Sequence, residues 1–110
     1  MDGLQAINEL NDLTLALGKK VALLRDYGVK LAQAKHDYNV ELGKEIMRLR
    51  TEGVPATLVE KLAKAHIAKV VLNMDLAEVM HDTQKEDIMA TKLKIRVLQE
   101  QINREWGQTQ

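Results

Sequence analysis

Apolar residues recur at every third or fourth position along almost the whole chain. From the start the series runs Ile7, Leu10, Thr14, Leu17, Val21, Leu24, Gly28, Leu31, Lys35, Tyr38, Leu42, Glu45 and Leu49, and nine of these thirteen are apolar. A second series runs Ile67, Val70, Met74, Ala77, His81, Gln84, Ile88, Thr91, Ile95, Leu98 and Ile102, with eight of eleven apolar. This spacing lines one side of an α-helix and alternates as a coiled-coil seam does. Strand-like alternation is absent, and the residues between are mostly Leu, Ala, Lys, Glu, Gln, Met and Arg, which favour helix. One strong break occurs, at Thr51-Glu52-Gly53-Val54-Pro55. Glycine there suits a left-handed helix end, and proline opens the next helix without losing a hydrogen bond. The pattern predicts an all-α protein: one domain over residues 1–110, folded as a long antiparallel helical hairpin with its bend at 52–56.

The second half carries another stripe. Leu58, Leu62, Leu72, Leu76, Val79, Leu93 and Val97 fall on roughly the opposite side from the seam. A helix in an isolated hairpin needs only one apolar stripe. Two stripes predict cover on both sides, once by the first helix and once by a second copy of the chain, through Leu72, Leu76, Val79, Leu93 and Val97. A straight helix of about 50 residues would run roughly 75 Å and bury little per residue in a lone hairpin. That also favours a homodimeric bundle. No Gly or Pro marks a break near residue 66, so one continuous second helix is expected, with a short separate helix at 55–65 as the alternative. Which stripe is intramolecular is left open, as is the choice between kinks and close helix approach at Gly18, Gly28 and Gly43.

Composition narrows the chemistry. Sixteen basic and sixteen acidic residues cancel, eight of each on either side of Pro55. Whole-chain charge therefore excludes a strongly basic nucleic-acid domain. The chain lacks Cys, which removes disulfides, zinc–thiolate sites and thiol catalysis, and it lacks Ser as a nucleophile. One Trp, two Tyr and no Phe are too few for a stacking-based RNA module. No apolar run approaches a membrane span, and no signal-peptide pattern opens the chain. Glycines stand singly in helical sequence, so there is no phosphate loop. No cofactor and no enzymatic activity are expected.

The seam is interrupted by His81, Gln84 and Thr91. The expected role is a buried hydrogen-bonded layer that sets register and partner number. The alternative is metal. Glu78 and His81 form a Glu-x-x-His pair, whose spacing aims both side chains from one helix face. With the hairpin folded about residues 53 and 54, Asp26 would lie near residue 81, and a dimer would double the set into that of a di-iron bundle. His36 and His66 stand near charged neighbours and are expected to be exposed.

Two basic clusters are candidates for nucleic-acid contact. Lys44, Arg48, Arg50, Lys61, Lys64 and Lys69 lie near the bend, interleaved with acids. Lys85, Lys92, Lys94, Arg96 and Arg104 lie towards the C-terminus, with Lys19 and Lys20 expected alongside. Counterion-release binding needs a contiguous patch, typically six to ten phosphates for a strong salt slope. Residues 92–104 carry four bases and one acid, enough only for weak contact. Trp106 is either an end-packing residue, the expected role, or a partner anchor.

Two stretches carry a resemblance. His36-Asp37-Tyr38 with the run from Glu45 to Leu58, and the closing run from Thr91 to Gly107, resemble a group of small helical proteins of phages and prophages of Gram-positive bacteria. The resemblance covers most of residues 36–107. Such proteins are often encoded near single-strand-binding and recombination genes. It implies a phage origin, a cytoplasmic setting in a bacterial host and no catalytic residue. The expected function is a non-enzymatic accessory acting by protein–protein interaction, with a phage replication or recombination factor or a host defence protein as partner. A nucleic-acid-associated accessory is the alternative, and a metal-binding bundle comes third.

Overall fold

A computed structural model describes residues 3–107. It contains α1 (Gly3–Thr51), α2 (Ala56–His66) and α3 (Ala68–Gly107), with no strand among the described residues. The chain packs as two compact units. One is Asp26–His81, around the bend; the other joins the residues up to Arg25 with those from Asp82 onward.

In the bend unit α1 ends as its sequence predicts. Gly53 has a φ of 84°, the left-handed region that glycine occupies without penalty. Val54 N–H donates to the Leu49 carbonyl at 3.1 Å, and Gly53 N–H donates to the Arg50 carbonyl at 3.1 Å. Together these are the two bonds of a Schellman motif, and its usual apolar contact is present because Val54 packs against the cluster containing Leu49. Leu49, Val59 and Ala63 form that cluster, with Leu42 and Ile46 beside it.

The second helix is not continuous. α2 stops at His66, and Ile67 adopts φ −104° and ψ 26° before α3 begins. The reason lies in the phase of the apolar positions. Val59, Ala63 and Ile67 recur at four-residue steps, each overshooting a full turn by about 40°. Three–four alternation starts only at Ile67. The local break rephases the helix, so that Ile67, Val70 and Met74 turn inward after Val59 and Ala63 have done so.

The α3 seam falls where its spacing places it. Ile67, Gln84, Ile88, Thr91 and Leu98 are buried, and Val70, Met74, Ala77, His81, Ile95 and Ile102 are partly so. The α1 seam holds at ten of its thirteen positions. Ile7, Leu10, Leu17, Leu24, Gly28, Leu31, Tyr38, Leu42, Glu45 and Leu49 turn inward, but at three positions the neighbouring row does so instead. Ala6, Leu13, Lys20, Tyr27 and Ala34 take the inner positions, while Thr14, Val21 and Lys35 are exposed. Lys20 would not be chosen from hydrophobicity. Its long stem lies along the seam while its ammonium reaches polar partners at the edge.

In each unit α1 lies antiparallel to the later helices. A Cβ built on Gly28 would lie 3.7 Å from His81 Nε2 in the bend unit. In the terminal unit one built on Gly3 would lie 3.4 Å from Trp106 Nε1. Gly28 thus sits beneath the His81 ring, whereas Gly18 and Gly43 face open space. Gly28, not Asp26, is opposite His81. This two-residue offset from a fold about residues 53 and 54 arises because the bend is a helix cap followed by a separate short helix, not a symmetric turn.

Candidate interaction face

The polar layer lies in the terminal unit and has a partner that the seam pattern did not reveal. Gln84 is 8% exposed and Thr91 is 2% exposed. Gln84 Nε2 donates to the Lys20 carbonyl at 2.9 Å, and Lys20 Nζ donates to Thr91 Oγ1 at 2.9 Å and to Asp87 Oδ1 at 3.1 Å. Thr91 Oγ1 in turn donates to the Asp87 carbonyl at 2.9 Å. Lys20 is the shared partner of this layer, accepting from Gln84 through its carbonyl and donating to Thr91 and Asp87 through its ammonium, and sequence reading placed it with a surface basic cluster. The available signal was indirect: two buried polar residues seven positions apart require a donor or acceptor opposite. His81 belongs to the other unit and is partly buried, packed over Gly28.

Within one chain the metal alternative does not assemble. Asp26 and Glu78 are exposed, and among the described residues no three His, Cys, Asp or Glu side chains gather closely enough to hold a metal ion. The two-residue offset is the cause, since it takes Asp26 away from the Glu78–His81 level.

The second apolar stripe is uncovered within the chain. Leu72, Leu76, Val79, Leu93 and Val97 are each between 52% and 59% exposed. In the bend unit Leu76 and Met80 line a groove of about 300 Å³ with Tyr27, Lys30 and Ala34. In the terminal unit Met89, Ala90 and Leu93 line one of about 460 Å³, with Lys92 and Arg96 at its sides. Leu58 and Leu62 are also exposed, on α2.

The basic residues do not form one patch. Lys44, Arg48 and Lys64 pair with Glu41, Glu45 and Glu60 near the bend. Lys85 lies 3.5 Å from Asp82. Lys85, Lys92 and Arg96 share one flank of α3, but Lys94 lies about 160° around the helix from Lys92. Arg104 lines a separate hollow with Val97, Gln101 and Glu105. Trp106 is 57% exposed, yet its indole lies across the first turn of α1 at Gly3. It packs over the helix ends of its unit.

A charged cluster in the bend unit was not anticipated. His66 Nδ1 lies 2.7 Å from Glu45 Oε1, so Nδ1 carries a hydrogen and donates it to the carboxylate. Arg48 Nε donates to both oxygens of Glu45, at 3.1 and 3.2 Å, and Nη2 also bonds Oε1. Arg48 Nη1 donates to Glu52 at 2.7 Å. The Arg48 hydrogen bonds, followed by that of His66, hold the Glu45 carboxyl at about 2, well below its usual 4.5. Because the folded value is depressed, this cluster supports the fold fully above about 4.5 and loses its effect as pH falls towards 2. Glu45→Gln is expected to reduce the loss of melting temperature between pH 6 and pH 3. An unchanged difference would count against the cluster. The effect is modest and salt-sensitive because the groups border solvent.

No helix of the described residues is long and apolar enough to cross a membrane. The chain matches no protein-family model, no curated protein and no solved structure.

Proposed function

We propose that the protein is a non-enzymatic phage accessory that acts by protein–protein interaction, self-associating through the outer face of α3. The observation carrying the interaction part is the uncovered stripe: five large apolar residues on one helix, each more than half exposed. These residues form two patches, Leu72, Leu76 and Val79 in the bend unit and Leu93 and Val97 in the terminal unit, and exposed apolar patches mark interaction sites in soluble proteins. The phage setting and the partner class rest on the resemblance of residues 36–107 alone. Absence of Cys and Ser supports the non-enzymatic part, since it removes the commonest covalent nucleophiles.

Light scattering at hundreds of micromolar is expected to approach twice the 12.4 kDa chain mass. Charged residues in place of Leu93 and Val97 are expected to dissociate that species without loss of helicity. A cooperatively unfolding monomer would overturn the self-association. Polarisation measurements with single- and double-stranded DNA at two salt concentrations test the rival reading. Steep, salt-dependent binding there would favour a nucleic-acid accessory instead.

A further inference from the structure

The terminal unit carries a self-complementary strip on α3. Asp82, Glu86, Met89, Leu93, Arg96 and Glu100 recur at alternating four- and three-residue steps, so they form one line along the helix. That line lies far round the helix from the seam residues Gln84, Ile88 and Thr91, and all six of its members are exposed. Met89 is 68% exposed and Leu93 is 56% exposed. Among the described residues, no ion pair of the chain engages Glu86 or Arg96. The arrangement is symmetric about position 91. Met89 and Leu93 stand two residues either side of it, and Glu86 and Arg96 five residues either side.

We propose that a second copy of the chain docks antiparallel on this strip, with a two-fold axis crossing the outer side of α3 at the level of residue 91. This rests on the self-association reading above and specifies its geometry. An isologous interface requires each contact to occur twice with the partners exchanged. Here Met89 of each copy meets Leu93 of the other, and Arg96 of each copy meets Glu86 of the other. The central pairs remove exposed apolar surface, and the flanking pairs neutralise two unpartnered charges of each sign. The next layer out sets Asp82 against Glu100. Lys85, 3.5 Å from Asp82, offsets that repulsion. A parallel dimer would place Glu86 on Glu86 and Arg96 on Arg96, so charge selects the antiparallel arrangement. A standard interface uses roughly 20 residues a side. So small a strip predicts a micromolar dimer.

Sedimentation equilibrium on the full chain tests the proposal with Glu86→Arg, Arg96→Glu and the double exchange. Each single change is expected to raise the dimer dissociation constant about tenfold or more, and the double exchange is expected to restore it. Circular dichroism of each variant serves as the folding control, since both sites are exposed. Single variants that dimerise like the parent, or a double exchange that fails to restore association in a folded protein, would overturn the proposal. If those changes have no effect while charged replacements of Leu76 and Val79 dissociate the protein, self-association stands and this strip is not its interface. A parent chain that is monomeric overturns both readings. Association that needs another protein or DNA, with the chain alone monomeric, does the same.

Discussion

Leu49→Ala is expected to destabilise the protein by about 3 kcal/mol and to lower its melting temperature by more than about 10 °C. Leu49 is 3% exposed and sits among Val59, Ala63, Leu42, Ile46 and Val54. It is the one large buried side chain of α1 in that cluster, and it ties three local features together. It closes the helix cap through the Val54 contact, receives the inner face of α2, and fills space against Ala63, which is fully buried. Alanine would remove three carbons from a site whose neighbours are held by the cap and by Pro55, so little collapse can compensate. The cost is therefore transfer energy plus a cavity. Thermal and urea melts check the magnitude, and amide exchange at Val59 and Ala63 is expected to speed up first as α2 loosens. Leu76→Ala is the control: at 52% exposure it should change stability by no more than about 0.5 kcal/mol in the monomer. Equal effects from the two substitutions would show that burial at the bend is not what holds α2.

The opposite sign is expected at the polar layer. Replacing Gln84 by Leu and Thr91 by Val together is expected to raise stability by about 1 kcal/mol, or about 4–8 °C in melting temperature. The pattern of bonds explains why nothing is orphaned. Gln84 gives its hydrogen bond to the Lys20 carbonyl, which also lies within α1's own helical ladder. Thr91 donates to the Asp87 carbonyl, likewise inside a helix. Lys20 loses Thr91 but keeps Asp87 and water, its side chain being 32% exposed. With no unsatisfied group left behind, the apolar gain is uncompensated. What is lost is alignment. The layer permits one pairing of α1 with α3, because only Lys20 reaches Thr91 and Asp87 while offering its carbonyl to Gln84. The double variant should therefore melt higher and show mixed masses or heterogeneous exchange, as seam polar residues set register and partner number. A lower melting temperature would show that these hydrogen bonds contribute net stability here.

Residue order by itself determined the helical class, the bend and the inner line of α3. The helix stop needs only what Gly53 and Pro55 supply locally, and from Ile67 on the three–four spacing is strict. It also marked Gln84 and Thr91 as a polar interruption, and left Leu72, Leu76, Val79, Leu93 and Val97 without cover. Tertiary packing decided the rest. On α1 the pairs Thr14–Val21 and Leu13–Lys20 are equally regular, and only the opposing helix selects between them. Hydrophobicity favours Val21; the acceptors on Thr91 and Asp87 favour Lys20, and the latter prevail. The break at Ile67 has no Gly or Pro to announce it, because it comes from a change of phase between two apolar series that must face the same way. The Glu45–His66 pair is hidden for a related reason. Its members stand 21 residues apart, and only the cap at Gly53 and the short length of α2 bring them within 2.7 Å.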